Sequence, residues 1–285
     1  MVVANIEQEA DGHVKAAYLR SGFHQGPAES TYSASGKFLA WSGGSDHRWH
    51  MSDNIFVSAL RRRLCLPESN TALMCPHTRL HDPQGSQVNL ATNYAHTLLC
   101  RNGTPEAINQ RHLYIVTALL HLISSCCFPE NVPLPVNAIT TETIVGARAN
   151  GTAITADLVV AENVNRQYQT KIVIDVTIVE PNNRHGVGRV EPGAAVMAAA
   201  SDKLVDYAPI LAEANTIFVP FALDSNGHIG THAAGYLNRL KEINPLAGSR
   251  IKSFIQEVSY HLAKQTAIAA EAGRAAAYHA VWHRH

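Results

Sequence analysis

The run Lys171–Glu180, KIVIDVTIVE, is the most apolar short stretch of the chain, and it carries one acid at its centre. From Ile172 to Val179 every residue except Asp175 is apolar or β-branched. That length and composition predict a buried strand flanked by helices rather than a helix. An unpaired carboxylate in such a strand costs several kcal/mol, so Asp175 has to be neutral, paired or bound to a cation. Side chains alternate along a strand, which puts Asp175 on one face with Val173 and Thr177. The plainest alternative is an Asp that bonds a neighbouring loop.

The rest of the composition mainly excludes. A chain of 285 residues, 46% hydrophobic and 16% charged, fits one large globular domain or a core domain with appendages. Lys plus Arg and Asp plus Glu both number 23, so net charge gives no hint of nucleic acid and any basic surface has to be local. The 16 histidines make the charge sensitive to mildly acidic pH. The 5 cysteines are scattered and odd in number, unlike a secreted disulfide framework. The first residues carry acids early and lack an apolar segment, so no signal peptide is expected. The longest apolar run, Leu113–Phe128, is interrupted by His121 and falls short of the ~20 residues a membrane span needs. An intracellular protein with no membrane partner is the expectation.

Along the chain, residues 1–53 read as an irregular arm rich in Gly, Ser, His and Asp. Ser52 or Asp53 then caps a short helix with Ile55, Phe56, Ala59, Leu60 and Leu64 on one face. Residues 70–112 are loop-like and hold the densest Cys/His spacing. A long helix starts with Thr104 as N-cap, Pro105 at its first position and Glu106 in its first turn. Its apolar face is Ile108, Ile115, Val116, Leu119, Leu120 and Ile123, and PENVPLP breaks it after Cys126 and Cys127. Strands over Val136–Val145, Ala153–Ala161 and Lys171–Val179 form a meander. A helix from Pro192 to Tyr207, a strand Asn215–Leu223, a helix Thr231–Ile243 and a final helix over Ser249–Tyr278 follow. The predicted fold class is α/β: helix, three-strand meander, helix, strand, helices.

Asp157, in ITADLVV, shares a face with Thr155 and Val159 by parity. If its strand pairs with the next as a hairpin, Asp157 and Asp175 point the same way. Two carboxylates on one sheet face repel unless a divalent cation sits between them, and oxygen donors of this kind suit Mg²⁺. Glu142, in ITTETIV, offers a third acid. Lys203 in the following helix, with Tyr207 one turn later, offers a positive charge. Near a phosphate, such a lysine orients the nucleophile or offsets transition-state charge. A solvated helix lysine is the alternative for Lys203, and packing is the expected role of Tyr207.

The acid in ITTETIV, then ITAD, then IDVT after a turn, and then a helix with KLVDY resemble the restriction-like endonuclease of site-specific non-LTR retrotransposons. That nuclease follows the reverse transcriptase and belongs to the PD-(D/E)XK group. SDNIFVSALRRRL, HTLLC followed by QRH (Gln110–His112), and FVPFALDSNGHIG are similar to stretches of the same family in the same order. The likeness spans roughly Ser52–Ala272. It implies a restriction-endonuclease-like core over 113–285, a small Cys/His zinc-knuckle-like segment over 70–112, and an N-terminal arm with a short helix over 1–69. By position it makes Asp157 and Asp175 the Mg²⁺ carboxylates, Glu142 a supporting acid and Lys203 the catalytic lysine. The nuclease fold normally has its lysine two residues after the second acid, where this chain has Thr177. In the retrotransposon branch a lysine from the next helix stands in, and Lys203 fits that place. Ala156 stands where the group has its Pro.

The segment before the long helix resembles the zinc knuckle that precedes this nuclease. Cys75, His96 and Cys100 match, and thiolate and imidazole suit tetrahedral Zn²⁺. The second ligand is His77 or His81, both in CPHTRLH. Arg111 and His112 follow in the family's pattern, with His112 expected to cap the helix interface rather than to pair with the acids. The resemblance further implies DNA as partner, the element's RNA as a second candidate, and a nuclear location. Phosphate contacts then fall to Arg61, Arg62, Arg63, Arg239, Lys241, Arg250 and Lys252, each of which is otherwise a solvated charge. The implied activity is Mg²⁺-dependent hydrolysis of a DNA phosphodiester, nicking a target strand for retroelement integration. Two other classes stay open at this stage: a non-catalytic nucleic-acid-binding remnant, and a structural α/β protein whose acids satisfy loops.

Overall fold

The β-branched run around Asp175 forms β3 (Tyr168–Val179), an interior strand of a four-stranded sheet ordered β1-β2-β3-β4. The computed structural model describes residues 51–63, 74–75, 89–90, 105–128, 138–165, 168–180 and 193–282. β1 (Ile139–Ala147), β2 (Ala153–Asn165) and β3 make the antiparallel meander. β4 (Thr216–Asp224) pairs with β3 in parallel, which requires a crossover. Helix α3 (Ala194–Asp206) and a 3-10 turn, Ala208–Ala212, supply it. Three further elements complete the described helices: α2 (Pro105–Cys127), α4 (Thr231–Ile243) and α5 (Ala247–Trp282), with α1 (Asp53–Arg63) ahead of them. The described residues thus form a mixed α/β fold with an open sheet and five α-helices.

Alternation along β3 divides the core. Ile172, Ile174 and Val176 are buried with Ile115, Leu119 and Ile123 of α2, Leu240 of α4 and Phe254 of α5. Val173 faces the other way, with Tyr207, Ile210 and Phe218. Near the end of the strand Val179 meets Ala195, Val196, Ala199 and Ala200 of α3, small side chains that let the helix lie close to the sheet. A strand covered on both faces has no polar side to show, which is why this run reads as nearly continuous apolar sequence. The β2–β3 hairpin extends further than its composition suggests. Glu162 pairs with Thr170 and Asn163 with Gln169, so the polar connector belongs to the ladder.

The division at 112/113 expected from the sequence falls inside α2, which runs unbroken. Nor does α1 stand apart, because Met51 and Ala59 are buried with Tyr260 and Ala267 of α5. At the other end of α2 the terminal carbonyls, which have no partner within a helix, are capped from outside. Asn244 Nδ2 donates to Cys126 O at 3.2 Å and Arg250 donates to Ser125 O. No described helix is long and apolar enough to cross a membrane.

One buried ionic cluster ties these layers together. Glu180, just after β3, accepts from Arg111 Nη1 of α2 at 3.2 Å and from Ser225 Oγ at 2.7 Å, and lies 3.8 Å from Arg62 Nη2 of α1. Arg111 Nη1 also reaches Thr266 Oγ1 of α5 at 3.2 Å. Arg111 and Glu180 side chains are each only 6% exposed, so removing one partner strands a desolvated charge. Arg111→Met is expected to destabilise the fold by about 3–5 kcal/mol in denaturant titration. A half-buried group makes stability depend on acid. His261 of α5 stacks on Tyr114 of α2 with ring centroids 4.4 Å apart. Burial, helped by the charge of Lys264, lowers its pKa from 6.5 to about 4. The fold therefore holds His261 neutral; its contribution is complete above pH 6.5 and is lost as pH falls toward 4. His261→Phe should lose less stability than the parent protein across that window, measured by melts at stepped pH.

Candidate active site

Asp175 projects from β3 toward α3, with its side chain 8% exposed. Lys203 Nζ comes from α3 to 2.8 Å from Asp175 Oδ2. Thr177 Oγ1 donates to the same oxygen at 3.2 Å. Tyr207, one turn beyond Lys203, places its hydroxyl 2.6 Å from Asp175 Oδ1 and 2.6 Å from Thr155 O of β2, so one phenolic proton serves two acceptors. An ammonium and two hydroxyls offset the desolvation of this carboxylate. The Tyr207 ring stacks on Phe218 at 4.1 Å, and burial raises its pKa, reinforced by the hydrogen bond and charge of Asp175 and the charge of Asp157. Tyr207 is therefore a phenol, and a donor, at any working pH. It packs as expected, but its hydroxyl also belongs to the site.

Asp157 is held differently. The register that pairs Leu158 with Ile174 and Val159 with Val173 would set it opposite Asp175. Regular pairing stops there, and Asp157 Oδ2 itself accepts the Val176 N–H at 2.6 Å. Strand β2 turns over at this point. Ile154 and Ala156 are buried with Tyr207 and Ile210, whereas Leu158 and Val160, of the same parity, are buried against α2. The strict alternation read from the sequence, and the common face it assigned to both acids, does not hold across Asp157.

From the α2 side, His112 Nε2 lies 3.3 Å from Asp157 Oδ2 and 3.1 Å from Val176 O. The hydrogen bond to Asp157 raises the His112 pKa; burial opposes this, and the Asp157 charge, the Val176 carbonyl and the Asp175 charge add to it. The expected helix-interface role for His112 is thus corrected: it pairs with the acidic site. Asp157 is bound from α2 and Asp175 from α3, with the Val176 peptide between them. His112 and Tyr207 both feel both carboxylates, which marks the two acids as neighbours.

Glu142 does not join them. It sits exposed on edge strand β1 with φ 46°, a left-handed conformation uncommon for a residue with a side chain. It is also skipped in the β1–β2 ladder between Thr141↔Leu158 and Thr143↔Ala156. Among the described residues no hydrogen bond or ion pair links it to either aspartate. The supporting role assumed a regular strand, and β1 is irregular at this residue.

Among the described residues no three His, Cys, Asp or Glu side chains gather as a metal-holding group. The donors that do converge are hard oxygens: Asp157 Oδ2 and Val176 O both lie within reach of His112 Nε2, while both oxygens of Asp175 are engaged by Lys203, Thr177 and Tyr207. That set fits an open Mg²⁺ site, in which one or two carboxylates suffice and waters complete the shell. Of the expected zinc ligands, Cys75 is buried beside the short Met74↔Asn89 bridge, and His77, His81, His96 and Cys100 lie outside the described residues.

The basic residues expected to meet DNA are dispersed. Arg62 turns inward to Glu180, its side chain 12% exposed, and is committed to the fold rather than to a phosphate. Arg61 is half-buried on the same helix, and the Arg63 side chain lies outside the described residues. Arg239 is half-buried on α4, and Lys241 is exposed, 3.2 Å from Asn238 Oδ1. Lys252 is exposed, while Arg250 caps α2 at Ser125, roughly 20 Å of helix away from His112 at ~1.5 Å per residue. Nearest the two acids, the cationic or cation-forming groups are Lys203 and His112, with side chains 30% and 39% exposed.

No protein-family model matches the chain, and no curated protein matches it. Tyr207→Phe, which deletes one hydroxyl from between Asp175 and the Thr155 carbonyl, is expected to cost about 1–3 kcal/mol of stability in urea titration.

Proposed function

We propose that this chain is a metal-dependent DNA endonuclease with a restriction-endonuclease-like core, derived from a site-specific non-LTR retrotransposon protein. The observation that carries the reading is the meeting of Lys203 with Asp175 at 2.8 Å, from an element separate in sequence, beside Asp157. Those are three of the four positions that the family resemblance assigns to the catalytic site; the fourth, Glu142, stands apart from them. The sheet agrees in outline: a meander whose third strand carries the second acid, a crossover helix with the lysine, then a parallel strand.

In this reading Asp157 Oδ2 and the Val176 carbonyl, with Asp175, are the groups that would hold the divalent cation. When bound there, the cation would neutralise charge on the scissile phosphate and acidify the attacking water. Lys203 lies against Asp175 with part of its side chain in solvent, placed to steady charge developing on the phosphate. Thr177 and Tyr207 fix the Asp175 rotamer, so the lysine and the carboxylate keep one arrangement as substrate arrives. DNA is the proposed partner, with element RNA a second and the nucleus the place of action. A Zn²⁺ knuckle of Cys75, His96, Cys100 and either His77 or His81 is proposed with it.

A second reading has one observation in its favour: Asp175 is fully occupied by Lys203, Tyr207 and Thr177 without any metal. A carboxylate satisfied in this way also suits a nucleic-acid-binding remnant that no longer cuts. Nicking of supercoiled plasmid with Mg²⁺ separates the two. The nuclease reading expects Asp175→Ala and Lys203→Ala each to lower the nicking rate roughly 10²-fold or more, with salt-sensitive DNA binding retained. Unchanged rates in both variants would remove the assignment, and salt-sensitive binding with no nicking by the parent protein would establish the remnant.

A further inference from the structure

We propose, resting on the nuclease reading, that His112 is a placeholder in the metal site: its Nε2–H occupies the point where Asp157 Oδ2 and Val176 O converge and withdraws when a divalent cation enters. The geometry leaves Nε2 one role. Its two neighbours, at 3.3 Å and 3.1 Å, are a carboxylate oxygen and a peptide oxygen, both acceptors. Nε2 must therefore carry a proton, and either protonation state with that proton serves. Asp157 gains a further constraint from the Val176 N–H at 2.6 Å, so its Oδ2 stays aimed at the same place whether or not the ring is there.

Asp157 Oδ2 and Val176 O are the oxygens that would hold the cation, and they are the ones that the ring now contacts. An N–H pointing at a divalent cation is repelled by it, so ring and ion exclude each other from this point. His112 is free to leave. Its side chain is 39% exposed, whereas the adjacent Arg111 is locked to Glu180 and Thr266 and holds the helix in place. Asp175 differs: Lys203, Thr177 and Tyr207 together hold both of its oxygens. On Asp157, then, the Val176 N–H is the fixed donor and the His112 ring the removable one. The removable donor on Asp157 acts on metal entry rather than on phosphate.

The test is isothermal titration of the full chain with Mn²⁺ alone, without DNA. His112→Ala and His112→Phe should each tighten Mn²⁺ binding by about five- to tenfold, the equivalent of one displaced hydrogen-bonded contact. Phe keeps the ring volume, so a folding defect in the Ala variant does not decide the outcome. The gain should vanish in an Asp157→Asn background, as a double-mutant cycle on a shared site requires. Melting of the metal-free His112→Ala variant should fall by about 2–4 °C, because Asp157 and Val176 lose their donor. Unchanged or weaker Mn²⁺ binding in both His112 variants, in a protein that binds the metal and nicks DNA, overturns the placeholder and leaves the nuclease standing. Absence of Mn²⁺ binding in the parent and both variants overturns the placeholder together with the nuclease.

Discussion

The contact between Lys203 and Asp175 sets the terms for much of the fold. An acid placed in the most apolar strand of the chain would oppose folding unless a positive charge came to it. The nearest source on that face is the crossover between β3 and β4. Helix α3 must therefore lie close to the sheet, and the alanines at 195, 199 and 200 make the approach possible. Tyr207 closes the arrangement by joining α3 to Asp175 and to the β2 backbone at once. The apolar packing of α3 and the pairing of its lysine thus depend on each other.

The second acid shows how an irregularity in a sheet can make a site. Asp157 lies where β2 turns over and where β1 departs from extended geometry at Glu142. In a regular ladder the Val176 N–H would be occupied by backbone, and the carboxylate would point to one face. Here the side chain takes that N–H, which brings an acidic oxygen into the plane between the strands. Groups from both helical layers can then reach the same neighbourhood, His112 from one side and Lys203 from the other. A flat, strictly alternating sheet would have kept them apart.

Much of this was legible in the sequence. The order of helix, meander, helix, strand and helices follows from period and punctuation, and helix α4 has the bounds expected for it. The partnership of Lys203 with Asp175 was also within reach, because a carboxylate in an apolar strand calls for a positive charge and the helix that follows the strand carries one. Parity failed at Asp157 and Glu142 because period-two reasoning assumes unbroken pairing, and a turned-over strand leaves no compositional trace. His112 was misjudged for a different reason. Helical spacing shows that Arg111 and His112 are adjacent, but not which of two acids on another element each will meet. The knuckle and the basic residues depended on the family resemblance more than on any spacing.

Helix α2 runs without a break across position 112/113, and that continuity bears on what counts as an autonomous unit. Its consecutive residues Arg111 and His112 grip β3 at two points, Glu180 and the Val176 peptide, so the helix is a clamp on the strand rather than a linker to it. Arg62 of α1 joins the same grip. A fragment started at residue 113 would lose both points of the clamp and leave Glu180 with neither arginine. The smallest piece able to hold β3 in its present form therefore has to reach back to α1.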